Sequence, residues 1–233
     1  MSDKKCAAVL LGPPGSGKTT LARALAARGR ISVLETGNLL GKEVRLDTQM
    51  GRQIKPYTVA GELVPLELVK QVLSSELENA QGNLILFDGF PRSVEQLELF
   101  FQLLKNHNLA LCAVIILSLD PQSAINRLSG RRICSQCGAV YNVYTDSSKQ
   151  PELCDRCAGK LTQRPDDRAD VVTERFKIYE RDTLPVIEFF KKEFGRLTWE
   201  ESANSLPDQI LDRVWRRLVD AIPRLSSNRE QAR

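Results

Sequence analysis

Apolar residues along the chain follow two periods. Short, nearly continuous runs at 6–11, 31–35, 83–87 and 110–119 have the length of strands buried on both faces. Between them the apolar positions fall at helical spacing: Leu66, Val69, Val72, Leu73 and Leu77, then Leu97, Phe100, Phe101 and Leu104, and last Ile210, Leu211, Val214, Leu218 and Val219. Pro65 and Pro207 stand where helices open, Asp120-Pro121 starts a helix running to about Gly130, and Ser93 with Gln96 three residues on has capping-box form. A long helix is expected over 169–192 with a bend at Pro185, followed by a last short strand over 196–199. This alternation predicts an α/β fold, a doubly wound five-stranded parallel sheet with helices on both faces. Two stretches break it. Residues 36–64 are helical but polar, with Gly41, Gly51 and Gly61 as breaks, and residues 131–168 lose periodicity altogether. The core is therefore 1–35, 65–130 and 169–233, carrying two insertions.

The first strand runs into Gly12-Pro13-Pro14-Gly15-Ser16-Gly17-Lys18-Thr19, and a helix-type run, 20–28, follows. Strand, glycine-rich loop and helix in that order satisfy the G-x-x-x-x-G-K-[ST] phosphate-binding loop. Backbone N–H groups at a helix start attract an anion. Lys18 can reach the outer phosphates of a nucleoside triphosphate, and the Thr19 hydroxyl can hold Mg²⁺. Ligands in doubly wound sheets bind at the carboxyl ends of the strands, where this loop sits and where both insertions leave the core.

Composition narrows the class without choosing a function. The 233 residues are 42% hydrophobic and 27% charged, with net charge +4, ordinary for a globular protein and too mild to indicate nucleic acid. The N-terminus does not resemble a signal peptide, and no apolar run approaches the ~18 residues of a membrane span. Of six cysteines, four form two C-x-x-C pairs, Cys134/Cys137 and Cys154/Cys157, sixteen residues apart. That spacing points to a closed tetrahedral Zn²⁺ site, with iron or two disulfides as alternatives, and to a cytoplasmic protein. Cys6 and Cys112 lie in apolar runs and are expected to be small buried hydrophobes.

Taken together, the phosphate-binding loop, Thr36-Gly37, Asp88-Gly89-Phe90-Pro91-Arg92, Gly130-Arg131-Arg132, the four cysteines and Arg164-Pro165-Asp166-Asp167 resemble the long-form bacterial adenylate kinases whose LID carries zinc. The resemblance spans residue 5 to about 220. It implies transfer of the γ-phosphoryl of Mg-ATP to AMP, giving two ADP, in a monomer with a CORE, an NMP-binding lobe (36–64) and a LID (131–168). It implies that Gly15, Ser16, Gly17, Lys18, Thr19 and Thr20 cradle the ATP phosphates, with Arg127, Val140, Tyr141 and Leu206 on the adenosine side. Thr36, Glu62, Leu63, Val64, Gly89, Arg92 and Gln96 line the AMP pocket, with Arg131, Arg164 and Arg175 about the phosphates. Asp88 acts through Mg²⁺-bound water, and Asp166 and Asp167 tie the LID. Without the resemblance, Arg127 and Arg175 are ordinary helix-surface cations, Asp88 a turn residue, Tyr141 packing for the cysteine lobe and His107 a helix C-cap.

One departure is sharp. The family's T-G-D-[LM]-[LF]-R pattern is here Thr36-Gly37-Asn38-Leu39-Leu40-Gly41. Loss of one arginine–phosphate contact costs on the order of 2–3 kcal/mol, about 100-fold in monophosphate binding, if nothing replaces it. Lys42 is adjacent and Arg45 lies one turn on, and either is in reach. Tyr141-Asn142 and a polar loop from Asp146 to Lys149 also stand where the family usually has Tyr-His and Asn-Pro-Pro. Two other functions compete. One is a kinase with another or a relaxed monophosphate acceptor. The other is a zinc-ribbon nucleotide switch, against which the cysteine segment lacks the basic and aromatic interleaving of nucleic-acid readers.

Overall fold

The computed structural model describes residues 5–144, 146–163, 167 and 169–225. Five parallel strands form the central sheet: β1 (Lys5–Leu11), β2 (Ile31–Glu35), β3 (Leu84–Asp88), β4 (Leu109–Ser118) and, at the edge, the strand Thr198–Ser202, β8 in chain order. Their spatial order is β2-β3-β1-β4-β8. The expected α/β architecture is present, with four strands where the apolar runs place them and the last starting at Thr198 instead of Arg196, because Gly195–Leu197 form a 3-10 turn.

Strand alternation divides the interior into two layers. Ala7, Val9, Leu11, Ile85, Phe87, Val114 and Ile116 face one side. There they meet the helices α4 (Leu66–Glu78), α5 (Val94–Asn106) and α8 (Leu184–Glu193) through Val69, Leu73, Phe100, Ile187 and Phe190. Ala8, Leu10, Leu84, Leu86, Ala113 and Ile115 face the other and meet α1 (Lys18–Arg28) and α9 (Pro207–Ala221). Phe100 has no exposed surface and packs edge-on against Phe87, Phe90, Phe101 and Phe190, with centroids 5.3–6.2 Å apart. Each such pair adds about 0.5–1.5 kcal/mol beyond area burial.

The first insertion is two helices, α2 (Thr36–Arg45) and α3 (Gln49–Ala60). Only Gly61 acts as the expected break, ending α3 in the left-handed conformation. Gly41 and Gly51 lie inside helices instead, because their service is contact with a neighbour: a Cβ at Gly51 would stand 2.0 Å from the carbonyl oxygen of Glu43. Thr48 caps α3 by accepting from the Gly51 N–H at 2.8 Å. Beyond α6 (Pro121–Ser129), a three-stranded antiparallel sheet, β5 (Arg131–Cys134), β6 (Val140–Asn142) and β7 (Leu161–Thr162), carries the cysteines. Its short strands have no apolar periodicity to announce them.

Three local expectations are corrected. The single helix expected over 169–192 is instead α7 (Ala169–Ile178), a π-helical segment, Tyr179–Thr183, and α8 in direct succession, and Pro185 sits in the first turn of α8 immediately after the π segment. Ser93 caps α5 without a side-chain bond, and Gln96 Oε1 accepts instead from the Arg92 N–H at 2.7 Å. Cys6 and Cys112 form a disulfide between adjacent strands, with Cα atoms 5.7 Å apart. The β1/β4 register shifts at Ala7/Ala8 and leaves Cys112 out of the pairing, on the face Cys6 shares. No helix among the described residues is long and apolar enough to cross a membrane.

The backbone contact at Gly51 leaves no room for a methyl group. Gly51→Ala is expected to destabilise the α2–α3 pair by about 1–3 kcal/mol, seen as a lower Tm, although alanine is the better helix former.

Candidate active site

The strands β1, β2 and β3 end level with one another, with Leu10 and Glu35 both paired to Asp88. From β1 the chain turns at Gly12, whose φ is 148° and whose absent Cβ would stand 2.5 Å from the carbonyl of Leu117. Glycine there lets the loop lie against the end of β4. Gly15 and Gly17 also have positive φ, and Gly17 caps α1. Ser16 is buried and Thr20 exposed at the head of α1. Lys18 Nζ donates to Gly12 O and Pro13 O, both at 2.8 Å, and to Ser16 Oγ at 3.2 Å. The ammonium is thus wrapped by its own loop. Desolvation above all, with the fields of Arg92, Arg175 and Arg131 added to it, draws its pKa down to about 7 against the pull of Asp88. Asp88, 4% exposed, accepts a short hydrogen bond from Thr19 Oγ1. Burial pushes its pKa up, opposed by Lys18, Thr19 and Arg92.

The arginines are held by specific partners. Arg131, at the start of β5, makes a bidentate pair with Asp167 at 2.7 and 2.5 Å, and Arg175 of α7 reaches the same carboxylate at 3.7 Å. Asp167 is fully buried. Gly61, at the end of the first insertion, lies against the stem of Arg175. Arg92 is fixed at three points. Its Nε donates to Gly89 O, its N–H to Gln96 Oε1, and its carbonyl accepts from Thr183 Oγ1 at 2.9 Å. Gly89 has φ 69°, and a Cβ there would meet the Arg92 guanidinium at 2.6 Å. Arg127 Nη2 donates to Ala203 O at 2.8 Å, three residues before the exposed Leu206. Thr183 and Ala203 are absent from the sequence reading because only the fold brings them near arginines 91 and 76 residues away.

Of the residues expected on the acceptor side, Thr36 starts α2 and Glu62, Leu63 and Val64 follow α3. Thr36 is 5% exposed, and its Oγ1 has no hydrogen-bond partner among the described residues. Val64 is buried, with Leu63 half-buried and Glu62 exposed beside it. Val140 is exposed in β6, and Tyr141 turns its hydroxyl into the cysteine lobe, where it accepts from the Asp155 N–H at 2.9 Å. Arg164 and Asp166 lie outside the described residues. The sulfurs of Cys134, Cys137, Cys154 and Cys157 all lie within 4.8 Å of one another, with Cys134–Cys157 at 3.4 Å and Cys137–Cys154 at 3.5 Å. Thiolates around one Zn²⁺ at about 2.3 Å stand ~3.8 Å apart, so the donor set fits that ion.

Chemically, this is a site for concentrated negative charge. Lysine and arginines converge on the carboxyl ends of β1 and β3, and the arginine forks suit phosphate oxygens.

The chain is similar to known proteins over most of its length. The family model described as adenylate kinase matches residues 10–194. The adenylate kinase of Pyrococcus abyssi (strain GE5 / Orsay) is 35% identical over 212 residues, 90% of this chain and 92% of that protein. That of Pyrococcus furiosus is 36% identical over 214 residues, covering 92% and 96%. That of Clostridium tetani is 37% identical over 184 residues, covering 78% and 85%.

Asp167 holds two arginines from separate elements in one buried carboxylate. Asp167→Asn is expected to cost roughly 2–3 kcal/mol in denaturant unfolding, through the loss of charge-assisted bonds to Arg131. A change under 0.5 kcal/mol would show that the pair contributes nothing to stability.

Proposed function

The chain belongs to the adenylate kinase family, enzymes that move phosphate between ATP and AMP, and we propose that it does so by direct in-line transfer beneath a closing LID. The observation that carries this reading is the convergence of Arg92, Arg131 and Arg175 on Lys18, whose charge all three oppose. Such crowding of cations is unfavourable by itself and becomes favourable when phosphates enter. Phosphoryl transfer asks chiefly for alignment and charge neutralisation, and this inventory supplies both without a covalent intermediate.

In this reading the loop from Gly15 to Thr20 holds the ATP phosphates, and Lys18 leaves its carbonyl partners for the β- and γ-oxygens. Thr19 and Asp88 offer a hydroxyl and a carboxylate oxygen in mutual contact, a hard-oxygen pair that would hold Mg²⁺, which neutralises phosphate charge when bound. Arg127, Val140, Tyr141 and Leu206 take the ATP adenosine. Arg92 grips the AMP phosphate, Thr36 offers a hydroxyl that has no partner among the described residues, and the link from Glu62 to Val64 borders the base. Gln96 Oε1 is committed to the Arg92 backbone, so contact with the base falls to its amide nitrogen. Arg131, Arg164 and Arg175 surround the phosphates in transit, and Asp166 and Asp167 tie the LID once closed. Segments 36–64 and 131–168 are the NMP-binding lobe and LID. Closure removes water that would otherwise accept the phosphoryl group. The four cysteines hold a structural Zn²⁺, and the enzyme acts as a cytoplasmic monomer.

Gly41 favours a second reading, in which the acceptor is relaxed or is another monophosphate. A coupled assay with ATP and a panel of nucleoside monophosphates decides between them. ADP formation dependent on AMP is the expected result, and turnover with another base alone would replace AMP as acceptor. No transfer to any monophosphate, with tight nucleic-acid or protein binding, would turn the chain into a nucleotide-switch module. Arg92→Ala is expected to raise the KM for AMP about 10- to 100-fold. One zinc per chain is expected by elemental analysis, and stripping it should lower Tm by unfastening a lobe with a minimal apolar core.

A further inference from the structure

Helix α2 presents an unusual face. Gly37 and Gly41 are one turn apart, and Arg45 follows one turn later. A guanidinium lies over each glycine. Arg92 Nη2 is 3.9 Å from where a Cβ at Gly37 would be, and Arg45 Nη1 is 3.4 Å from the corresponding point at Gly41. The two contacts are about 6 Å apart along the helix. At the head of α2, the buried Thr36 hydroxyl has no partner among the described residues.

The acids two residues to either side of Arg45 in sequence are engaged elsewhere. Glu43 accepts from Thr48 Oγ1 at 2.7 Å, and Asp47 pairs with Arg52 at 3.1 Å. No ion pair to Arg45 occurs among the described residues. Lys42 is about 100° around the helix from Gly41 and lines a depression with Glu43, Gln71 and Glu76 against α4.

We propose that Arg45 is the second guanidinium of the monophosphate site, closing over Gly41 to grip the acceptor's phosphate opposite Arg92, and that Lys42 takes no part. A methyl group at 37 or 41 would only touch these forks at ordinary contact distance, so what matters is that no longer side chain stands at either position. A larger residue at 41 would occupy the space that the Arg45 guanidinium fills. The phosphate oxygens would then meet two planar forks and the Thr36 hydroxyl, an arrangement that selects an acceptor bearing a dianionic phosphate over the bare nucleoside.

This inference rests on the acceptor assignment above, and the experiment separates the two. Initial rates are measured with AMP and ATP varied independently, and adenosine is tested as a competitor of AMP. Arg45→Ala is expected to raise the KM for AMP roughly 10- to 100-fold with the KM for ATP unchanged. Adenosine inhibition should not move, since it presents no phosphate. Arg45→Lys should recover part of the loss, and Gly41→Arg in the Arg45→Ala background should recover more. Lys42→Ala should match the unmodified enzyme. AMP-dependent turnover whose KM changes less than twofold in Arg45→Ala overturns the inference alone, as does an equal loss from Lys42→Ala. Failure of the unmodified protein to make ADP from AMP removes the acceptor assignment and this inference with it.

Discussion

Like charge is the constraint on which this molecule depends. Arg92, Arg131 and Arg175 are brought close enough to Lys18 to oppose its charge, and Lys18 is also desolvated. Two buried carboxylates make that tolerable. Asp88 sits beside Lys18 at the end of β3, and Asp167 takes Arg131 and Arg175 together. Neither acid neutralises the cluster. The remaining positive potential is what a polyphosphate would find on entering, in a partly dry setting where it acts more strongly than in water.

The core exists to hold that cluster still. β1 and β3 are buried on both faces and paired along their length, so the ends that carry the loop and Asp88 have little freedom. The phenylalanines under β3 and α5 anchor Phe90 and hence the turn into Arg92. Thr183, in the π-helical segment, fixes the Arg92 carbonyl from the opposite side. The widened turn of a π segment places a side chain where a regular helix would not, and here that side chain is Thr183 against Arg92.

The cysteine lobe follows different physics. Its apolar interior amounts to Cys134, Ala139, Cys154 and Leu161 with Tyr141 against them. So small a cluster cannot repay the ordering of some thirty residues, and clustered thiolates are the usual remedy. The α2–α3 insertion instead borrows the main core, through Leu40, Ile54 and Val64. One insertion is therefore held from within and the other by docking on the core.

Much of this was legible in one dimension. Buried strands, helical spacing and the phosphate-binding loop depend on neighbours within a few positions, so local sequence determines them. The two C-x-x-C pairs were readable for the same reason, whereas Asp88 and Arg92 joined Lys18 and Thr19 in one site only through the family resemblance. The exceptions are contacts between distant segments. Gly41 and Gly51 look like helix breaks, yet each is a place where another group comes down on the backbone. Cys6 and Cys112 look like buried hydrophobes, yet a register shift sets them on one face, 106 residues apart in the chain. Arg45 and Lys42 were equivalent by spacing, and only the position of α4 and the partners of Glu43 and Asp47 set them apart. Local pattern settles which groups the protein has and on what elements they ride. Which of them meet is decided by packing, because that energy belongs to pairs of segments and is written in neither one alone.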